Sequence, residues 1–256
     1  MFAVAEFDID TNIKLAVIDV PEIDEELKVF IDNNIVSICE GNTNGDITTV
    51  KKDLSNLFKG SEEHPKTNDW IMGATAEFFM HLFIRAKGFK QEFLYRNLEE
   101  DSIKKGFDGL YSISSNIWLM ESKSGSIATS GISHKNKVKE AIKDLSNKIA
   151  GINQTNNPWR NAYSHVSQID VEASTSLRSD IKKLADDFTN GQYKNVAEFN
   201  TIPCGTIFLN GTWRQFAPGK IKTDIESIKE KLKGRNIYVL CMTYNTVDMF
   251  MEYISK

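Results

Sequence analysis

Asp108, then Glu121-Ser122-Lys123 thirteen residues later, with Glu77 upstream of both, are the residues here whose types and spacing suit bond-breaking chemistry. Glu121 and Lys123 are two apart, so on a strand both side chains point to one face. The run before them, Ile117-Trp118-Leu119-Met120, reads as a strand buried on both faces. An acid and a lysine ending such a strand sit where a sheet opens to a cleft. Asp108 opens the preceding strand-like run, Phe107 to Ile113, so a hairpin folds it back toward Glu121. With an even connection, such as Ile113 to Asn116, Ser112 faces Ile117 and Asp108 faces Glu121, on one side and roughly 5 Å apart. An odd connection separates them onto opposite faces unless a bulge intervenes. A joint site therefore requires a two- or four-residue loop, or a bulge beside Asp108.

Two carboxylates that close repel each other unless something neutralises them, and a divalent cation does so directly. Mg²⁺, or Mn²⁺ in its place, prefers oxygen ligands and keeps several waters, so one or two carboxylates suffice. A protonated Lys123 cannot be a ligand. It suits neutralising charge, orienting a metal-bound water toward a phosphodiester, or stabilising the pentacovalent phosphorus that follows. Glu77 shares a helix face with Gly73 and Met80 and can add a carboxylate or hold a metal water. Taken singly, Glu-x-Lys is often an exposed salt-bridged edge and Asp-Gly often only a turn. Their joint placement after a helix bearing Glu77 is what argues for a site.

The elements that must position these residues follow from periodicity. Residues 1–20 read as a hairpin, with helices at about 24–39 and 46–58, the second capped by Asp46 and stopped by Gly60. The polar connector 60–68 suggests a boundary between an acidic α+β lobe, residues 1–60, and a domain spanning 61–256. Asn68 or Asp69 is expected to cap a helix from Trp70 to Lys87, ended by Gly88. A strand over 91–97 and the two hairpin runs come next. A helix over 135–150 follows, with Val138, Ile142, Leu145 and Ile149 inward and its lysines outward. Residues 151–175 read as loop with at most a short helix, 176–188 as helix, 202–210 as strand, 222–233 as helix, 236–244 as strand and 246–254 as helix. The order predicts an α/β core with a mixed central sheet flanked by helices.

The 256 residues are 41% apolar and 26% charged, an ordinary globular composition that excludes a disordered chain or a collagen-like repeat. The densest apolar run, Phe78 to Ile84, is far short of a membrane span. The first eight residues lack a basic segment and reach carboxylates at once, so no signal peptide is expected. Cys39, Cys204 and Cys241 lie far apart and read as thiols of a reducing compartment, which makes the expected location cytoplasmic. Residues 1–60 carry 12 acidic and 5 basic side chains, leaving 23 and 26 for the rest. That balance argues against coating nucleic acid by charge alone, and fits a groove on one surface with a basic partner on another. Lys135, Lys137 and Lys139 cluster at one helix start and suit phosphate contacts, and Trp159, Arg160 and Tyr163 interleave aromatics with a base. Each has a plainer reading as a solvated face or a packed loop. Asp8-Ile-Asp10-Thr-Asn12 lacks the glycine of a calcium loop, and the four histidines lack zinc spacing, with His81 expected in the core. With no G-x-x-x-x-G-K-S/T motif, ATP-driven unwinding would need another chain.

Gly73-Ala-Thr-Ala-Glu77, Gly106-Phe-Asp108-Gly and Met120-Glu-Ser-Lys123-Ser-Gly together resemble the PD-(D/E)XK nuclease superfamily. The element order from about 69 to 150 fits that restriction-endonuclease-like fold. The superfamily's proline before the first aspartate is replaced by Phe107. More narrowly, the whole chain resembles the HamA family, nuclease subunits of Hachiman anti-phage defence that act with a helicase, HamB. The resemblance implies a Mg²⁺-dependent deoxyribonuclease acting on DNA, with Asp108, Glu121 and Lys123 catalytic, Glu77 as the helix carboxylate, and a helicase as partner. Two rival readings are a catalytically silent adaptor that binds DNA or a helicase, and a restriction-type enzyme reading sequence through residues 151–175.

Overall fold

Helix ends follow local chemistry. Asp24 and Asp46 accept hydrogen bonds from the Leu27 and Thr49 N–H groups and start α1 (Glu25–Glu40) and α2 (Ile47–Lys59); Gly60, at φ +73°, ends the second. The cap of α3 (Asn68–Ala86) is Thr67, whose hydroxyl accepts from Trp70 N–H at 3.2 Å, so the helix takes in Asn68 and Asp69, the caps expected from sequence. The structure, a computed structural model, describes residues 2–97, 102–103, 106–114, 116–152 and 156–256. Ser115 of the expected hairpin loop and part of the 151–175 segment lie outside them.

The opening hairpin pairs β1 (Ala3–Asp10) with β2 (Ile13–Val20). After α3 come β3 (Lys90–Gln91), the short antiparallel pair β4 (Arg96–Asn97) and β5 (Ser102–Ile103), β6 (Gly109–Ile113) and β7 (Asn116–Ser126). The chain continues through α4 (His134–Ile149), α5 (Pro158–Val166), α6 (Thr175–Thr189), β8 (Asn200–Phe208), α7 (Pro218–Glu226), β9 (Ile237–Tyr244) and α8 (Val247–Ile254). Seven strands form one sheet in the order β1-β2-β9-β8-β7-β6-β3. β2, β9, β8 and β7 run parallel, while β1, β6 and β3 pair antiparallel, so the sheet is mixed and the class α/β, as expected. β8 and β9 are buried at every position because helices cover both faces. One face, carrying Tyr111, Met120 and Leu240, packs with residues of α1, α2, α3 and α8. The other, carrying Leu110, Leu119 and Val239, packs with α4, α5, α6 and α7.

Residues 1–60 contribute to the same sheet and core as the rest: β2 is hydrogen-bonded to β9 over its whole length, and Ile31, Leu54 and Phe58 share a cluster with Phe78 and Phe83 of α3. Two expectations are corrected. The strand expected over 91–97 ends at Gln91, because Phe93, Leu94 and Tyr95 are all buried and Tyr95 N–H donates to Ile38 O on α1, turning the chain off the sheet edge. The helix expected over 222–233 begins earlier, at Pro218, which suits a first helical turn, and gives way after Glu226 to a 3-10 turn.

His134, first residue of α4, is buried against β9; its Nε2 donates to Met242 O at 3.0 Å and its ring meets Phe216 edge-on. Burial pushes its pKa down to about 4, only partly offset by that hydrogen bond and by Asp224. A folded value below the ordinary 6.5 means that the unfolded chain binds the proton more tightly. The stabilisation is present above about pH 6.5 and is lost as pH falls toward 4, by up to roughly 3 kcal/mol at 1.36 kcal/mol per unit. Denaturant unfolding between pH 7 and 4.5 should show that loss in the parent and a shallower one in His134→Gln.

Candidate active site

The hairpin carrying Asp108 and Glu121 has the register the site demands. Ile113 pairs with Asn116, Ser112 with Ile117 and Gly109 with Met120, so two residues make the connection and the next positions outward are 108 and 121. Ser114, at φ +48°, supplies the left-handed residue of the tight turn. The Asp108 carboxylate accepts the Ser122 N–H at 2.7 Å through Oδ2, which locks it beside the Glu-x-Lys segment. Gly109 is more than a turn residue. A Cβ there would lie 2.6 Å from the Tyr111 ring and 3.1 Å from Met120 Cβ, so any larger side chain would push Asp108 off this register. Phe107 is fully buried with its ring 4.8 Å from Trp159, anchoring the residue before Asp108.

Glu121 is completely buried on the face that meets α4. Lys123 Nζ lies 2.8 Å from Glu121 Oε1 and 2.6 Å from Asp144 Oδ2. Lys148 Nζ lies 2.7 and 2.6 Å from the two Glu121 oxygens. Sequence reasoning missed Asp144 and Lys148, having turned every lysine of this helix outward. The signal was an Asp-x-x-x-Lys pair bordering the inward stripe of Ala141, Leu145 and Ile149.

Burial sets the direction of the carboxylate shifts at the centre of the site. Burial, then repulsion from Glu77, raises the pKa of the Asp108 carboxyl against the pull of Lys148 and Lys123. Burial, then Asp108, pushes Glu121 well above the usual carboxylate range. Burial alone would lower Lys123, yet Glu121, Asp108 and the Asp144 hydrogen bond more than offset it and hold the ammonium charged. Asp144 is taken down to about 2, its burial outweighed by hydrogen bonds to Glu121 and Lys123 and by Lys148.

Glu77 approaches from the other layer. It is buried on α3, with Oε1 3.5 Å from His81 Nε2, while His81 Nδ1 bonds the Tyr111 hydroxyl at 2.5 Å. His81 is thus the expected core histidine, and it also links Glu77 to the strand beneath Asp108. The three basic residues expected at DNA part company. Lys135 reaches Asp224 of α7 at 3.7 Å, whereas Lys137 and Lys139 line a cavity of about 400 Å³ with Lys143 and the 129–132 loop, beside the end of β7. Trp159, a candidate for stacking on bases, is instead buried between Phe107 and Phe199.

Among the described residues no group of three or more His, Cys, Asp or Glu is disposed to hold a metal ion. Asp108 and Glu121 still fit a hydrated hard cation, which needs only one or two carboxylates. Compared with known proteins, the chain matches one family model, described as HamA, over residues 4–256. No curated protein matches it significantly. No helix among the described residues is long and apolar enough to cross a membrane.

Proposed function

This chain belongs to the HamA family, and from that premise we propose that it is the metal-dependent DNA endonuclease subunit of an anti-phage defence complex, controlled by a partner helicase. The observation that carries the reading is the pair of partly or wholly buried carboxylates, Asp108 and Glu121, set side by side by the β6–β7 register with Lys123 on Glu121. Mg²⁺ or Mn²⁺, held by Asp108 and Glu121 with support from Glu77, would supply a Lewis acid and an acidified water. The chain's own residues do the rest. Lys123 keeps a fixed positive charge beside that pair and suits positioning the attacking water and stabilising charge on phosphorus. Lys137 and Lys139, with Lys135 nearby on the same helix end, suit contacts to DNA phosphates. The acidic first sixty residues, which include the exposed edge strand β1, suit a basic surface on the helicase. A nuclease without sequence readout endangers its host, so restraint by a partner is physically sensible.

Plasmid cleavage tests the reading, with Mg²⁺ or Mn²⁺ against chelator, with and without a helicase partner and ATP, for the parent and Glu121→Ala. Metal-dependent nicking or cutting lost in Glu121→Ala supports it, and a change on helicase activation supports partner control. A parent as inert as Glu121→Ala with metal and partner present leaves the adaptor reading in its place.

A further inference from the structure

Lys148, like Asp144, is a group of the site that no motif marks, and its geometry bears on how a metal enters. Its Nζ contacts both Glu121 oxygens, at 2.7 and 2.6 Å, and lies 3.5 Å from Asp144 Oδ2. Lys123 shares Oε1 at 2.8 Å. A carboxylate offers roughly four lone-pair positions, and three hydrogen bonds from two ammonium groups engage them here. A divalent cation approaching what remains of Glu121 meets two positive charges. Glu121 is wholly buried and the Lys148 side chain only 14% exposed, so water does little to soften that repulsion.

Resting on the reading of Asp108 and Glu121 as the metal-holding pair, we propose that Lys148 is a built-in counter-cation that competes with the metal for Glu121 and must leave the carboxylate before the metal is held. Asp144 gives it a place to go. This carboxylate stands one turn earlier on α4, already within 3.5 Å of Lys148 and 2.6 Å of Lys123. Because Lys148 belongs to α4 and the two carboxylates to the β6–β7 hairpin, a small shift of the helix changes metal affinity without disturbing the hairpin.

Calorimetric titration of the full chain with MnCl₂ and MgCl₂, paired with thermal melts with and without Mn²⁺, tests this. Lys148→Gln is expected to bind Mn²⁺ at least about tenfold more tightly than the parent and to show a larger Mn²⁺-induced rise in Tm. Lys148→Arg, whose fork grips both oxygens, is expected to bind no more tightly than the parent. Unchanged or weaker binding in Lys148→Gln, with binding abolished in Glu121→Gln, overturns this proposal and leaves the metal reading standing. Absence of binding in every chain removes both. If Lys148→Gln does not fold, Lys148→Arg decides, since tighter binding there contradicts competition and equal or weaker binding upholds it.

Discussion

If the proposed function holds, Lys123→Ala is expected to slow DNA cleavage about a thousandfold while leaving the protein folded, because that reading gives the lysine a part in chemistry more than in stability. In the folded chain its ammonium sits between Glu121 and Asp144, at 2.8 and 2.6 Å, so on the proposed reading it is a fixed cation beside the carboxylates that a phosphodiester would meet. Its removal does not strand Glu121, since Lys148 still holds both of that carboxylate's oxygens. The side chain is also 31% exposed, so solvent screens part of what it contributes. The change in Tm should therefore stay within about 4 °C, the equivalent of roughly 1–2 kcal/mol for a chain of this size. Lys123→Arg should not rescue, because a planar guanidinium does not fit a slot built around one compact ammonium. Single-turnover cleavage with circular dichroism melts on the same samples decides it. Cleavage within tenfold of the parent would take Lys123 out of the reaction, and an unfolded variant would make its role structural.

Deleting residues 2–20 is expected to abolish folding rather than release an autonomous 61–256 domain. β2 lies inside the sheet between β1 and β9, and Ile13, Leu15, Val17, Ile18 and Val20 are all at most 6% exposed. At about 1.5–3 kcal/mol for each such side chain, their burial contributes roughly 8–15 kcal/mol, comparable to the whole stability of an ordinary domain. Deletion also bares β9, an apolar strand with a free hydrogen-bonding edge, which invites aggregation. The truncated chain should be recovered insoluble, or soluble without a cooperative melt. A sharp unfolding transition in that chain would show that residues 61–256 stand alone, and would return the first sixty residues to the status of a lobe.

Local chemistry wrote most of the fold into the sequence. The cap at Asp46 and the stops at Gly60 and Gly88 are contacts within a few residues, so the helix ends they set are legible without any tertiary context. The hairpin register was narrowed by sequence to an even connection or a bulge, and the observed pairing supplies the even one. A two-residue connection fixes Asp108 opposite Glu121 by the period of two along a strand, and that pairing is the heart of the candidate site.

What the sequence left open are matters of long-range partnership. Whether residues 1–60 form a lobe or part of the sheet depends on β2 finding β9, more than 200 residues away, and a polar connector between them gives no sign of it. The strand expected over 91–97 was lost to Phe93, Leu94 and Tyr95, whose burial on either side of the sheet edge outweighs ladder hydrogen bonds they would otherwise make. Trp159 looked like a stacking platform and became core because Phe107 and Phe199 close over it. Above all, one sequence of residue types determined that two carboxylates and a lysine would share a strand face, but only the packing of α4 on β7 decided which further cation would meet them. Lysines at helical spacing are solvated by default, and Lys148 turns inward because a fully buried carboxylate, Glu121, waits there for a countercharge.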